Sequence, residues 1–423
     1  MNERSQASPW GLPLLALAAL LLACARPHAP AETRDAAAPD DAASVSPPDG
    51  SARTQSPVAD GGAPVETCAT RSVPSTTVAC HRRPTTVPGL ARVRDVAVGA
   101  LHTCAIAGGA VFCWGNNHWG ALGDGTNAFR AAPVQVKGLV DAAQLAVGVM
   151  HSCARLADGA VRCWGMDIVH VGSALRTDTS SPVTVPSLTG VRAIASGHTH
   201  TCALLASGEV RCWGGNAQGQ LGHGERDESP IPRRVPGVDA ALALSTGDDY
   251  TCALTSDRSA RCWGRIGFGG EARVEPPAAL PGASGLAQIA IGSQHLCTRS
   301  TANGAVACWG ANFYGQLGDG TTQPRRTPTP VAGVADAAQL ALGDSHTCAR
   351  IADGTVRCWG DNQLGQLGDG TTEDHGTPTL VPGLTGVVHL AAGRARTCAI
   401  LSDGSLRCWG TEHDDAAKRG PTG

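Results

Sequence analysis

The tripeptide Cys-Trp-Gly occurs seven times in this chain, and this repetition limits the possible folds more than any other feature. A second cysteine precedes each copy by 9 to 11 residues, and successive upstream cysteines lie 45 to 51 residues apart. A fixed period of about 50 residues is typical of solenoids, propellers and other repeat arrays. The cysteines of the seven tripeptides are Cys113, Cys163, Cys212, Cys262, Cys308, Cys358 and Cys408.

Each period contains four short segments with the composition of β-strands. In the sixth period they are QLALG (339–343), HTCAR (346–350), GTVRCWG (354–360) and TPTLVPGL (377–384). Apolar and β-branched runs bounded by Gly, Asp and Asn favour strands joined by tight turns. A four-stranded unit repeated around an axis is a propeller blade, and propellers typically have about four to eight blades. The sequence therefore predicts an all-β, seven-bladed β-propeller.

The two ends of the repeat region indicate how the ring closes. The Thr/Pro/Val strand follows the first six Cys-Trp-Gly copies and is missing after the seventh, whereas a spare copy, RPTTVPGL, stands at 83–90. We expect this N-terminal strand to complete the last blade, which removes the open edges of a linear array. A linear solenoid would instead need polar capping repeats. The propeller is assigned to residues 82–411, with a C-terminal tail at 412–423.

The cysteine count favours disulfides. There are 17 cysteines, and 16 remain when Cys24, which belongs to the N-terminal signal segment described below, is left out. An even number in an exported chain suggests a set of disulfide bonds. Reduced cysteines packed in the core are an alternative, whereas zinc sites usually have Cys-x2–4-Cys spacing, which no pair shows. The expected disulfides are Cys68–Cys80, Cys104–Cys113, Cys153–Cys163, Cys202–Cys212, Cys252–Cys262, Cys297–Cys308, Cys348–Cys358 and Cys398–Cys408.

Hairpin register supports these pairs. A three-residue loop around Asp158-Gly159 places Cys153 directly opposite Cys163. The Gly108-Gly109 turn suits a pair that is one residue closer in sequence, and the loop ending at Asn303-Gly304 suits a pair one residue further apart. The loop length therefore changes in step with the cysteine spacing.

Residues 1–24 have the features of a lipoprotein signal peptide. The apolar run from Trp10 to Ala23 is shorter than the ~20 residues of a membrane-spanning helix. The run ends in Leu21-Leu22-Ala23-Cys24, which resembles a bacterial lipobox, in which the cysteine is lipidated; an ordinary signal peptide with a chance cysteine is the alternative. By resemblance to lipoprotein sorting, Ala25 indicates the outer membrane. Several acyl chains on Cys24 would give a stable membrane anchor.

The segment between this signal and the repeats divides into two parts. Residues 25–66 are rich in Pro, Ala, Asp and Ser and nearly lack large apolar side chains, so we expect a disordered tether. Residues 67–81, which contain Cys68 and Cys80, are interpreted as a small lead-in to the propeller.

The repeat resembles that of the regulator of chromosome condensation (RCC1) family. The run from Gly343 to Pro378, GDSHTCARIADGTVRCWGDNQLGQLGDGTTEDHGTP, carries the resemblance, which covers residues 82–411. The second and fourth repeats have lost the Gly-x-Leu-Gly core. The resemblance implies a seven-bladed propeller, and family members include guanine-nucleotide exchange factors that bind chromatin. Export, the lack of a basic tail and spacing that leaves no room for a long inserted hairpin argue against that activity here.

Three recurring residue types could carry chemistry, but a structural role is favoured for each. The histidine before Thr-Cys could line a ring that binds a metal or an anion; we expect a repeated hydrogen bond, because catalytic sites usually break symmetry. The aspartates of Leu-Gly-Asp-Gly-Thr could bind Ca²⁺, but Asx-turns are favoured. Each Trp of Cys-Trp-Gly is expected to pack between blades. The histidines are His102, His151, His200, His295 and His346, and the aspartates are Asp124, Asp319 and Asp369.

These observations predict a binding protein without catalytic residues, metal or cofactor. A net charge of −3 and a pI near 6.5 provide no footprint for nucleic acid. Trp119, Phe313 and Tyr314 lie in Gly-rich loops where other repeats have smaller residues, and they are the predicted binding residues. The expected partner of this monomeric chain is a protein or glycan of the cell envelope, and an envelope hydrolase is the alternative.

Overall fold

The structure is a computed structural model that describes residues 66–69, 77–166, 178–266 and 273–412. These residues form 29 β-strands in seven antiparallel sheets, six with four strands and one with five. The predicted all-β, seven-bladed propeller is confirmed. Within the described ranges, no helix is long and apolar enough to cross a membrane.

The strands of the first three blades follow one another along the chain. In the first blade they are β3 (Val93–Val98), β4 (His102–Ala107), β5 (Ala110–Gly115) and β6 (Arg130–Val140). In the second they are β7 (Ala142–Val147), β8 (His151–Leu156), β9 (Val161–Gly165) and β10 (Thr179–Thr184). In the third they are β11 (Val191–Ser196), β12 (His200–Leu205), β13 (Val210–Gly214) and β14 (Ser229–Arg234).

The next three blades repeat this order. The fourth contains β15 (Ala241–Thr246), β16 (Tyr250–Thr255), β17 (Ala260–Ile266) and β18 (Arg273–Ala279). The fifth contains β19 (Leu286–Ile291), β20 (His295–Ser300), β21 (Val306–Gly310) and β22 (Arg325–Pro330). The sixth contains β23 (Ala337–Leu342), β24 (His346–Ile351), β25 (Val356–Gly360) and β26 (His375–Leu380).

The seventh blade combines both ends of the described chain, as predicted. Its strands are β1 (Glu66–Ala69), β2 (Thr77–Thr86), β27 (Val387–Gly393), β28 (Arg396–Leu401) and β29 (Leu406–Thr411). Strand β2 pairs with β29, with Thr85 opposite Cys408. The Val93 N–H, at the start of the first blade, then donates to the Gly404 carbonyl of the seventh at 2.9 Å. These contacts close the ring.

The lead-in expected at residues 67–81 is part of this last blade. Strand β2 begins at Thr77 and crosses the expected boundary at 81/82, and β1 pairs with it as a fifth strand. The register shifts between His81 and Thr85, so a bulge, rather than the end of a strand, separates the lead-in from the RPTTVPGL segment. A bulge lets pairing continue past an extra residue. The signal peptide, Cys24, nearly all of the tether and residues 413–423 lie outside the described residues.

Eight disulfides join the same eight pairs that the sequence suggests. In the seven blade pairs the two cysteines are directly opposite each other, for example Cys202 and Cys212. Their Cα atoms are 4.0 to 4.1 Å apart. Cys68 and Cys80 are instead diagonal neighbours on β1 and β2, with Cα atoms 6.0 Å apart. Each blade is therefore crosslinked between its second and third strands.

A repeated histidine bond joins neighbouring blades. The His102 Nε2 atom is 2.7 Å from the Ser152 hydroxyl of the next blade, and that hydroxyl donates to the Ala121 carbonyl at 2.9 Å. Both side chains are fully buried. The same bond recurs at 2.8 to 2.9 Å in the pairs His151–Thr201, His200–Thr251, His295–Thr347 and His346–Thr397. The histidines therefore have the structural role that was expected.

The fourth blade has a different residue on each side of this contact. Tyr250 stands where other blades have histidine, and Leu296 of the fifth blade stands where they have threonine or serine. A histidine facing Leu296 would have no hydroxyl as its partner. The Tyr250 hydroxyl instead donates to the His295 carbonyl at 3.0 Å. The two replacements thus compensate for each other and keep the buried polar groups paired.

The tryptophans and the aspartates also have the structural roles that were favoured. Trp164 is fully buried between blades, and its Nε1–H donates to the Ala121 carbonyl at 2.8 Å. Asp124 accepts hydrogen bonds from the Thr126 backbone N–H at 2.9 Å and from Arg130 Nε at 2.9 Å. The equivalent groups are Asp319 with Thr321 and Arg325, and Asp369 with Thr371 and His375. Across the described residues, no group of three or more His, Cys, Asp or Glu side chains is arranged to hold a metal.

Candidate binding site

The meander of each blade places two kinds of loop at the same end of the ring. Antiparallel strands reverse at every turn, so the loop after the first strand and the long loop after the third strand share one end. Backbone bonds join them: the Asn116 N–H donates to the Leu101 carbonyl and the Ala311 N–H to the Gln294 carbonyl, both at 2.9 Å. We call this end the mouth face. The opposite face carries the short turns between the second and third strands.

A cavity of about 120 Å³ lies at the centre of the mouth face and is lined by all seven blades. Each blade contributes the residue directly after the glycine that follows or ends its first strand. A side chain on that glycine has no room: a Cβ on Gly343 would lie 2.2 Å from the His346 ring. The mouth ring consists of Ala100, Val149, His198, Asp248, Ser293, Asp344 and Arg394.

The mouth ring differs from blade to blade, whereas most of the buried contacts repeat. Its members in the first two blades are small or apolar, and its members in the other five blades are polar or charged. The Ser293 hydroxyl donates to the Asp248 carboxylate. The Asp344 N–H donates to the Arg394 carbonyl at 3.0 Å, which ties the sixth blade to the seventh. The polar half of the mouth is thus held by contacts between blades.

Burial and neighbouring charges together shift the pKa values of carboxyl groups in this half. Burial, followed by the nearby Asp248 carboxylate, raises the pKa of Asp344 to about 7, although Arg394 opposes the shift. Burial and Asp248 also raise the pKa of the neighbouring Asp249. Arg265 lies 3.8 Å from the Asp249 carboxylate and forms an ion pair with it. A carboxyl group with a pKa near neutrality, placed in a cleft, is a common feature of functional sites.

The fourth blade carries a longer hairpin on the mouth face than the sequence spacing suggested. Beyond the usual last pair, Gly264 with Glu275, the strands continue with Arg265 opposite Val274 and Ile266 opposite Arg273. The longer hairpin needs no inserted residues, because this blade lacks the Gly-x-Leu-Gly motif that shapes the equivalent loop in most other blades. The freed backbone groups pair with each other instead. The hairpin starts next to Asp249, at the polar half of the mouth.

The three aromatic residues predicted to bind a partner lie in long loops of the mouth face. Phe313, in the fifth blade, is 65% exposed, although large apolar side chains are usually buried. Tyr314 is half-buried beside it. Trp119, in the first blade, is half-buried, and its ring centroid is 5.8 Å from that of His118. All three residues lie on the mouth face. Phe313 and Tyr314 belong to a blade with a polar mouth residue, Ser293, whereas Trp119 belongs to a blade whose mouth residue is the small Ala100.

Comparison with known proteins places this arrangement in a family. The profile described as "RCC1-like domain" matches residues 177–422, more than half of the chain, and the profile of the RCC1 repeat matches residues 108–155. The chain belongs to the RCC1-like family. The resemblance drawn from the Cys-Trp-Gly repeat is thereby confirmed.

Individual relatives of this RCC1-like chain share its fold more than its sequence. The E3 ubiquitin-protein ligase HERC2 of Homo sapiens is 37% identical over 89 residues, which are 20% of this chain and 2% of the ligase. The chain thus spans a very small part of that relative. Human WBSCR16 has a TM-score of 0.64 at 21% identity and covers 77% of this chain and 89% of its own. Yeast RCC1 (Prp20), solved bound to Kap60, has a TM-score of 0.63 at 23% identity, with coverages of 76% and 81%. At these identities the solved structures show the fold alone.

The mouth ring of this RCC1-like chain was missed by sequence reasoning, although a signal was present. The position after the glycine of each first strand varies between two nearly constant positions, the glycine and the histidine two residues later. A variable position inside a constant repeat indicates a site where the blades differ in role. The aromatic residues of the long loops are larger than their counterparts in other repeats, whereas Ser293 and Asp344 have ordinary polar side chains.

Proposed function

We propose that the chain is an exported propeller, anchored through lipid on Cys24, that binds a protein or glycan of the cell envelope through its mouth face. It acts by binding rather than by catalysis. The observation that carries this proposal is the asymmetry of the mouth face. Polar mouth residues, the blade-four hairpin and the exposed Phe313 all belong to blades three to seven, whereas most of the buried contacts repeat around the ring.

The repeated contacts between blades provide a rigid framework for the mouth face. Each blade is crosslinked by a disulfide, and buried side-chain bonds join consecutive blades from the first to the seventh, as in the His200–Thr251 pair. Binding groups on a rigid framework lose little conformational entropy when a partner binds. An exposed aromatic side chain and fixed polar groups on the same face are typical components of a protein interface.

Export and anchoring are supported by the cysteines and the N-terminal sequence. Disulfides are maintained in exported proteins and are rare in the cytosol, and the described residues contain eight. The lipobox-like string places Cys24 at the start of the mature protein. A tether of about 40 residues would lift the propeller roughly 35–40 Å from the membrane as a random coil.

Photocrosslinking on intact cells tests this function. A benzophenone amino acid replaces Phe313 in one variant, and it replaces Ser402, exposed on the opposite face, in the matched control. We expect one reproducible protein or glycan adduct from position 313 and none from position 402. Equal labelling from both positions, or no adduct from position 313 at several expression levels, contradicts the proposal.

One observation favours a second candidate, an envelope hydrolase. Asp248 and Asp344 line the same cavity, and the Asp344 pKa near 7 is suited to a general acid. Turnover of glycan or peptide substrates that is lost in both D248N and D344N would establish this activity. A cavity of about 120 Å³ is small for a sugar ring held between two carboxylates, which is why binding is the preferred function.

A further inference from the structure

Three long loops of the mouth face hold the outer strand of the next blade in the same way. In each loop, the glycine that follows the aspartate of Leu-Gly-Asp-Gly-Thr donates its N–H to a backbone carbonyl of that strand. The bonds run from Gly125 to Ser180 at 2.8 Å, from Gly320 to Gly376 at 2.9 Å and from Gly370 to Arg82 at 2.8 Å. Arg82 lies in β2, so the third bond holds the strand that closes the ring.

A basic side chain at the start of each blade's own outer strand fixes the aspartate of the turn. The basic side chains are 33 to 38% exposed and the aspartates 5 to 8%, so the three pairs have nearly the same surroundings. The turn beside the closing strand has histidine where the other two have arginine. The pairs are Arg130–Asp124 at 2.9 Å, Arg325–Asp319 at 2.7 Å and His375–Asp369 at 2.8 Å.

Of these three pairs, the one with histidine can lose its positive charge near neutral pH. Histidine changes charge between about pH 5 and 8, whereas arginine stays charged. Burial would raise the pKa of Asp369, but hydrogen bonds from Thr371, Asn362 and His375 lower it overall, so this carboxylate stays ionised. A hydrogen bond between two ionised groups is stronger than one from a neutral donor. Loss of the His375 proton should therefore loosen the turn that carries Gly370.

Other ionisable groups lie on the elements packed against the His375–Asp369 pair. Arg83 lies over the turn, since a Cβ on Gly370 would be 2.7 Å from its guanidinium. Carboxylate, guanidinium and phenol groups ordinarily keep their charge state between about pH 5 and 8, so the histidine dominates the response. These groups are Asp361, Glu373 and Asp374 of the same loop, Arg82 and Arg83 of β2, and Tyr314, Asp319, Arg325 and Arg326 of the fifth blade.

A second histidine contact lies on the same closing strand. The His81 Nε2 atom is 2.7 Å from Glu412 Oε1. Burial lowers the pKa of Arg396 to about 10, and Glu412 opposes this shift, so the glutamate interacts with both side chains. Glu412 directly follows β29, the other neighbour of β2. Because Gly370 belongs to the sixth blade, a change at His375 separates the two contacts.

We propose that His375 and Asp369 form a proton-dependent clasp, which holds the closing strand β2 more tightly when the histidine is protonated. The pair fixes the turn at Asp369 and Gly370, and the Gly370 N–H holds Arg82. The clasp goes beyond the proposed function and does not depend on it, because all of its groups belong to this chain. It makes ring closure sensitive to acidity, whereas the two arginine turns hold the second and sixth blades across the same pH range.

Amide hydrogen exchange on the full chain in detergent, resolved to single residues, tests the clasp. Gly125 and Gly320 are the internal controls. After correction for the intrinsic pH dependence of exchange, the protection of Gly370 should be about threefold or more higher at pH 5.5 than at pH 8, and that of the controls nearly unchanged. His375→Arg, which introduces the residue of the other two turns, should make Gly370 independent of pH. Arg325→His should transfer the pH dependence to Gly320.

Four results overturn the clasp. In the wild type they are equal protection of Gly370 at both pH values, or equal changes at all three glycines, which indicate a global effect. A pH dependence that survives H375R assigns the response to another group, such as His81. A Gly320 that stays independent of pH in R325H, while Gly125 keeps its protection, contradicts the role of the histidine. Photocrosslinking from position 313 does not report on the clasp, so the proposed function stands or falls separately.

Discussion

Replacing Asp344 by asparagine should stabilise the protein at pH 8. The pKa of this carboxyl is raised from 3.8 to about 7 by burial and by Asp248. Between pH 3.8 and about 7 this carboxyl keeps its proton in the folded state but loses it in the unfolded state. The free-energy penalty that it places on folding is therefore absent below pH 3.8 and grows as the pH rises to about 7. Asparagine has nearly the same shape and carries no charge, so D344N avoids that cost.

The magnitude follows from the pKa difference. The interval from 3.8 to about 7, at about 1.4 kcal/mol for each pH unit, corresponds to about 4 kcal/mol. Water in the open mouth screens part of this, so we expect D344N to be about 2–4 kcal/mol more stable than wild type at pH 8. With about 2 °C of melting temperature per kcal/mol in a large domain, the gain is roughly 4–8 °C.

Thermal scans of both proteins at pH 8 and pH 4, at one scan rate, measure this difference. The gain should be present at pH 8 and nearly absent at pH 4, where Asp344 is protonated in the wild type. D353N, on the opposite face, should show no gain at either pH. A D344N variant that is equally or less stable than wild type at pH 8, or that gains equally at both values, refutes the electrostatic reasoning.

Three further predictions concern the blade contacts and the anchor. Replacing Cys202 and Cys212 by alanine opens a disulfide that spans 10 residues and should lower the unfolding free energy by about 2–3 kcal/mol; a denaturation midpoint equal to that of the wild type would contradict the assigned pair. Thr251→Val leaves the buried His200 imidazole without its 2.8 Å partner, which should cost about 1–3 kcal/mol; unchanged thermal stability would show that the histidine bonds do not hold the blades together. Cys24→Ser should abolish incorporation of an alkynyl fatty acid and release the protein from the membrane fraction; a variant that still carries the label would exclude Cys24 as the lipidation site.

The parts of the fold that could be predicted are those that depend on local sequence. A hairpin disulfide such as Cys153–Cys163 follows from turn length and strand register over about ten residues, which a single repeat displays. The closure of the ring could also be predicted, because the strand segment missing after Cys408 is present at 83–90. A structural role for the repeated histidines could also be expected, because a histidine occurs at the same position in five blades.

The mouth could not be assembled from the sequence in the same way. Its polar residues lie about 50 positions apart, and only ring closure brings Asp248, Ser293 and Asp344 together. The pKa of Asp344 depends on burial by neighbouring blades, which no local pattern encodes. The longer hairpin of the fourth blade could not be predicted either. The loss of the Gly-x-Leu-Gly motif indicates only that the usual loop is absent. The strand pairing found in its place is formed by backbone groups, which the side-chain pattern does not specify.

Hydrogen exchange on the crosslinked or reconstituted complex tests the central claim most directly, because it reports which face becomes covered. We predict that amides of the mouth face, in the loop at 310–324 and in Arg265 of the hairpin, exchange more slowly when the partner is bound. Turns of the opposite face at 352–355 and 402–405 should be unchanged. Slower exchange confined to those opposite turns would contradict the mouth face as the binding surface.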